Sequence, residues 1–110
     1  MEARTEIPPG TLYMLILRTL SRLGPMHGYG IAEHLKQISH DVLQVEEGSL
    51  YPALQRMLVK GWVTGEWAQT ENNRRARFYK LTPIGRKQLA AEISDFEKVT
   101  RAITRVIQPA

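Results

Sequence analysis

The chain is 110 residues long, 43% hydrophobic and 24% charged, the proportions of one globular domain and not of a disordered segment. It has no cysteine, which excludes disulfides, thiolate metal sites and cysteine nucleophiles, and no apolar run nears the roughly 20 residues of a membrane span. The net charge of +4 is unevenly placed: residues 1–47 carry four basic and six acidic side chains, residues 48–87 eight and two, and residues 88–110 three of each. A basic block confined to one stretch is the electrostatic footprint of a nucleic-acid-binding surface, with a merely solvated basic face as the alternative. The first residues, Met1 to Glu6, lack a basic stretch followed by an apolar one, so the expectation is a soluble, cytoplasmic, unprocessed chain.

Pro8-Pro9-Gly10-Thr11 announces a first helix, with Leu12, Leu15, Ile16, Leu20 and Leu23 at helical spacing. Gly24-Pro25 stops it, because glycine suits a left-handed cap and proline cannot continue the helix. A second helix is predicted over 28–38, with Ile31, Leu35 and Ile38 on one face and the turn-like Ser39-His40-Asp41 after it. Residues 42–45 form at most a very short strand. The third helix is predicted to begin near Gly48-Ser49, with Ser49 as N-cap, Pro52 in the first turn and Lys60-Gly61 at the end. Leu50, Leu54, Met57 and Leu58 form its apolar stripe.

The period then changes. Residues 62–70 and 76–81 read as two strands joined by a polar tip, Glu71-Asn72-Asn73-Arg74-Arg75. Thr82-Pro83 restarts a helix, threonine as cap and proline at the first position, and nothing after Gly85 breaks it before Ile107. Three short helices, a hairpin and a long last helix define a mainly α chain with a β-hairpin. The order is that of a winged helix-turn-helix over residues 1–82, followed over residues 83–110 by a long C-terminal helix. In such a domain the third helix enters the major groove.

Four segments carry a resemblance: His27-Gly28-Tyr29-Gly30-Ile31, Gly48-Ser49-Leu50-Tyr51-Pro52-Ala53-Leu54, Gly61-Trp62-Val63 and Arg77-Phe78-Tyr79-Lys80-Leu81-Thr82-Pro83-Ile84-Gly85. In order and spacing, from about Leu12 to Leu89, they resemble the PadR-type bacterial transcriptional regulators, the Gly-Ser-Leu-Tyr-Pro-Ala-Leu string being the most specific. The resemblance implies a dimeric winged-helix repressor whose final helix forms the dimer contact. Many members have a longer C-terminal region, so this chain is similar to the short branch. Gly30, often a larger residue in the family, is unusual inside a helix.

The candidate DNA contacts on the third helix are Ser49, Tyr51, Pro52, Gln55, Arg56 and Lys60. Ser49, Gln55 and Arg56 can reach base edges or phosphates, and Tyr51 can offer a phosphate its hydroxyl. Ser49 could instead be only a cap, and Tyr51 could only pack against the second helix. On the hairpin, Arg74, Arg75 and Arg77 cluster at and after the tip, where a flexible basic wing would follow the minor groove or clamp phosphate oxygens, with a merely soluble turn as the alternative. Along the last helix Leu89, Ile93, Phe96, Val99, Ile103 and Val106 recur in steps of three and four, a narrow seam that buries against a second subunit or folds back on the first helix. Core packing is the expectation for both Trp62 and Trp67.

His27 and His34 are too few for a metal site, and the resemblance implies a capping or backbone-contact role for His27. No phosphate-binding glycine loop, nucleophile elbow or acid pair supports catalysis, and Glu46-Glu47 is accounted for by the helix dipole. No cofactor is expected. The expected partners are double-stranded operator DNA and a second copy of the chain, with a small hydrophobic effector as a further possibility. The alternative is a winged-helix module that binds protein and not DNA, against which the basic block argues.

Overall fold

The computed structural model describes residues 5–7 and 10–109; Pro8-Pro9, expected to announce the first helix, lie outside the described residues. The described elements run β1 (Thr5–Glu6), α1 (Leu12–Leu23), β2 (Met26–His27), α2 (Gly28–Ile38), β3 (Leu43–Gln44), α3 (Glu47–Val59), β4 (Val63–Gln69), β5 (Arg75–Leu81) and α4 (Pro83–Ile107). The helices thus fall where their apolar periodicities put them. Ile16, Leu17 and Leu20 of α1, Ile31 and Leu35 of α2, and Leu50, Leu54 and Met57 of α3 meet in one core. Val63, Tyr79 and Leu81 close that core from the base of the hairpin.

The sheet is larger than the hairpin alone. β5 lies between β4 and β2, antiparallel to both, with Met26 opposite Tyr79 and His27 opposite Phe78. A second, two-residue parallel pairing joins β1 to β3, Thr5 opposite Leu43 and Glu6 opposite Gln44. Neither β1 nor β2 has a sequence signature, since two residues are too few for alternation to register.

The start of α3 differs from expectation. Its N-cap is Glu46, whose carbonyl accepts from the amides of Ser49 (3.0 Å) and Leu50 (2.9 Å), so Ser49 is not the cap but stands inside the first turn. Glu47 in that turn places negative charge at the positive end of the helix dipole. Pro52 consequently sits in the second turn, where it removes the hydrogen bond that the Gly48 carbonyl would accept. That costs about 3 kcal/mol. Burial of Leu50, Ala53, Leu54 and Met57 on the other face more than offsets it, at roughly 1.5–3 kcal/mol for each large side chain.

The turn from α3 into β4 needs a left-handed residue, which Gly61 supplies with φ of 74°. The start of α4 is locked to this same turn. The Thr82 hydroxyl accepts from the Gly85 amide (3.0 Å) and is directed at the Gly61 and Trp62 carbonyls (2.7 and 3.0 Å), while the Thr82 amide donates to Trp62 (3.1 Å). Any side chain at Gly85 would strike the Trp62 carbonyl. The first turns of α4 then pack along α1, and Leu89, expected on the outer seam, is 5% exposed and belongs to the chain's own core. Ile93 is half-buried against that core. Beyond it Phe96, Val99, Ile103 and Val106 are exposed.

Candidate nucleic-acid interface

Because Leu50, Ala53, Leu54 and Met57 turn inward, helical geometry turns Gly48, Pro52, Gln55 and Val59 outward. All four are exposed. Ser49 and Arg56, seven positions apart and both exposed, flank this outward strip on one side, and Tyr51 flanks it on the other.

Tyr51 packs on the second helix, the structural role expected of it. Its ring lies over Gly28 at the start of α2, yet the residue is 44% exposed. His27 caps α2, its Nδ1 accepting from the Gly30 amide at 3.0 Å, and its ring meets Phe78 edge-on at 5.2 Å. A side chain at Gly30 would press on Met26 and on this histidine, which gives the glycine a local packing reason.

The wing extends beyond the helices. Its tip turns at Asn73, with φ of 58°, between paired Thr70 and Arg74: the Thr70 amide donates to the Arg74 carbonyl at 2.7 Å. Arg74 and Arg75 are exposed at and after this turn. Arg77 is half-buried, and its Nε is buried with no hydrogen-bond partner, a cost of about 1–3 kcal/mol for an unanswered donor. Trp67 corrects the expectation of core packing. It is 60% exposed, because it lies on the core face of β4 but four residues out from Val63, past the edge of the helices. Burial pushes the Tyr79 hydroxyl above its ordinary pKa of 10.0, against a smaller opposite pull from Arg77.

Between the N-terminal ends of α2 and α3 and the wing lies a cleft of about 770 Å3. Tyr51, Arg74, Arg75 and Arg77 converge on it, joined by Tyr29, Trp67 and the single carboxylate of Glu47 among the described residues. Ser49, Pro52 and Gln55 of α3 do not line it: Pro52 and Gln55 lie on the outward strip that Tyr51 borders, and Ser49 on the far side of that strip. Arg56 and Lys60 do not join the cleft: the Arg56 Nε donates to the Tyr13 hydroxyl of α1, and Lys60 lies over Trp62, 5.2 Å from the ring centroid. Sequence reasoning missed Trp67 and Tyr29 as members of this surface. Strand alternation places Trp67 on the face of Val63, but only the length of the overhang shows that it is uncovered.

Residues 16–91, more than half of the chain, match the sequence model of the transcriptional regulator PadR-like family. A transcriptional regulator from Clostridium thermocellum has a similar structure, with a TM-score of 0.82 at 22% identity, over 90% of this chain and 95% of that one. A PadR-like transcriptional regulator from Bacillus cereus superposes with a TM-score of 0.76 at 25% identity, over 92% and 95%. A 37.1 kDa protein carried by a Streptomyces fradiae transposon is 36% identical over 87 residues, which are 79% of this chain but only 23% of that longer protein. No helix among the described residues is long and apolar enough to cross a membrane.

Proposed function

The chain belongs to the PadR-like family of transcriptional regulators, and from that premise we propose that it is a repressor binding a pseudo-palindromic operator in double-stranded DNA as a homodimer. One observation carries the reading: the outward strip of α3 and the arginine-bearing wing flank a single basic cleft. Gln55 on the exposed strip reads a base edge, Ser49 and Tyr51 hold phosphates on either side of that strip, and Arg74 and Arg75 grip the backbone from the wing. Pro52 keeps the outward surface flat and close to the groove. Arg56 and Lys60, turned toward α1 and Trp62, act as outlying phosphate contacts.

Two half-sites a helical turn apart require two recognition helices held at a fixed separation of about 34–36 Å. The exposed stripe Phe96, Val99, Ile103 and Val106 supports pairing of two α4 helices, with residues 1–82 as the DNA-binding part and the outer turns of 83–110 as the dimer contact. A groove of about 380 Å3 between α1 and α4, lined by Tyr13, Met14, Phe96 and Val99 with Glu92 and Asp95 among them, shares two residues with this stripe and would admit a small hydrophobic effector that releases the DNA.

A gel-shift assay on the DNA flanking the chain's own gene, repeated at increasing salt, tests the reading. Retardation that weakens steeply with salt is expected, since each neutralised phosphate releases counterions. Absence of retardation on every duplex would refute it.

A further inference from the structure

The inner face of the wing changes character along its length. Val63, Tyr79 and Leu81 at its base are buried, whereas Trp67, in register with Arg77 on the same face, is open to water. Gly65 lies between Val63 and Trp67 on that face. Arg77 folds across the space the glycine leaves, so that a Cβ built at position 65 would lie 2.5 Å from its Nε. In that folded position the Nε is buried and bonded to nothing. Arg75 lays its guanidinium over the Trp67 indole, 5.4 Å from the ring centroid, and Tyr51 stands across the cleft.

The walls therefore combine flat apolar surfaces with cations, and the arginines outnumber the lone carboxylate among the described lining residues. A neutral ligand would use only the first property. A sugar–phosphate strand uses both, offering deoxyribose faces between phosphates. The cleft also separates the two elements, α3 and the wing, that would lie in neighbouring grooves, and a backbone strand is what divides one groove from the next.

We propose that one strand of the bound duplex runs through this cleft, with the Trp67 indole packed on a deoxyribose and Arg77 turned out to the adjoining phosphate. The inference rests on the DNA-binding reading above and adds a contact which that reading lacks, an uncharged aromatic anchor on the wing. Arg77 gives up no Nε hydrogen bond on leaving Gly65 and gains a charge-assisted one. Trp67 covers apolar surface that is otherwise left in water.

The test is binding of a short random-sequence duplex to the full chain by fluorescence anisotropy across a salt series, with tryptophan emission read in parallel. Trp67→Ala is expected to weaken binding about 5-fold, the low end of what a ring stacked on a base contributes, with an unchanged salt slope because no phosphate contact is lost. Trp67→Phe keeps most of the affinity but removes the part of the duplex-induced emission change that belongs to Trp67. Trp62 lies past the other end of α3, edge-on to Tyr13, and any response of its own persists in Trp67→Phe, so the difference between the two proteins reads Trp67 alone. Arg77→Gln lowers the salt slope by about one. Trp67 is exposed, so neither replacement removes a core side chain, and matching circular dichroism spectra verify this.

Wild-type affinity in Trp67→Ala, together with the same duplex-induced emission change in Trp67→Phe as in the wild-type protein, overturns the contact while leaving DNA binding intact. Emission that responds to salicylate but not to the duplex gives the cleft to small aromatic anions and overturns it as well. A wild-type chain that binds no duplex at low salt overturns the DNA-binding reading, and the contact falls with it.

Discussion

Tyr51 stands where only a glycine leaves room: a Cβ placed on Gly28 would lie 2.8 Å from the tyrosine Cε1 and 3.0 Å from its hydroxyl. The pair ties the start of α2 to the first turns of α3, on the edge of the basic cleft. Gly28→Ala is expected to keep the fold, at a cost of about 1–3 kcal/mol as the ring is pushed aside, and to weaken DNA binding as much as Tyr51→Ala does. Thermal unfolding and anisotropy titration of both variants check this. Wild-type affinity in Gly28→Ala would mean that the ring does not need this seat to meet DNA.

The wing arginines are expected to act without regard to sequence. Replacing Arg74 and Arg75 by alanine should lower affinity for operator and random duplex alike and reduce the salt slope by about 1–2. Titration at several salt concentrations measures the slope directly.

Gln55 is expected to act on sequence. Its alanine variant should lose about 1–3 kcal/mol of discrimination between operator and random DNA while leaving the salt slope in place. Equal loss on both duplexes would assign Gln55 to the backbone.

These readings were unequally legible in the sequence. Thr82-Pro83 and Gly24-Pro25 mark helix ends through chemistry confined to neighbouring residues, and those ends fall where expected. The α3 start is not legible because Glu46 is not a preferred N-cap type and makes no side-chain cap hydrogen bond, whereas Ser49, three residues on, is a preferred type. β2 was invisible because its only support is the distant pair Phe78 and Tyr79. The α4 stripe runs unbroken from Leu89 to Val106 in the sequence, which cannot show that the chain itself buries Leu89 and leaves Phe96 exposed. The basic block is legible, but its division between a cleft and the Tyr13 side of α3 depends on how the helices pack.

Under the proposed pairing, the division of α4 between buried Leu89 and exposed Phe96 separates folding from assembly. Leu89→Ala should destabilise the chain by about 2–5 kcal/mol, whereas Phe96→Glu with Ile103→Glu should leave unfolding nearly unchanged and yield a monomer. Chemical denaturation and light scattering measure the two. A double variant that remains dimeric would move the contact away from α4.

Tyr79 should give stability a recognisable alkaline limb. Burial raises its folded pKa above 10.0, so the folded chain holds this proton more tightly than the unfolded one. The stabilisation is fully present below the unfolded value and is lost as pH rises through the folded value. Urea midpoints measured from neutral to alkaline pH should fall more steeply in the wild-type protein than in Tyr79→Phe.

The joint at Thr82 has a mechanical consequence. Its hydroxyl and amide fasten α4 to the carbonyls that end the α3 turn, and Gly85 leaves no gap for slack. α4, with 25 residues, is a lever about 37 Å long. Clamped so, a tilt of roughly 10° at its far end carries that end about 6 Å sideways and turns α3 through the same angle. In the proposed dimer, whatever sets the crossing angle of two such levers would therefore also set the stride of the protein along its duplex.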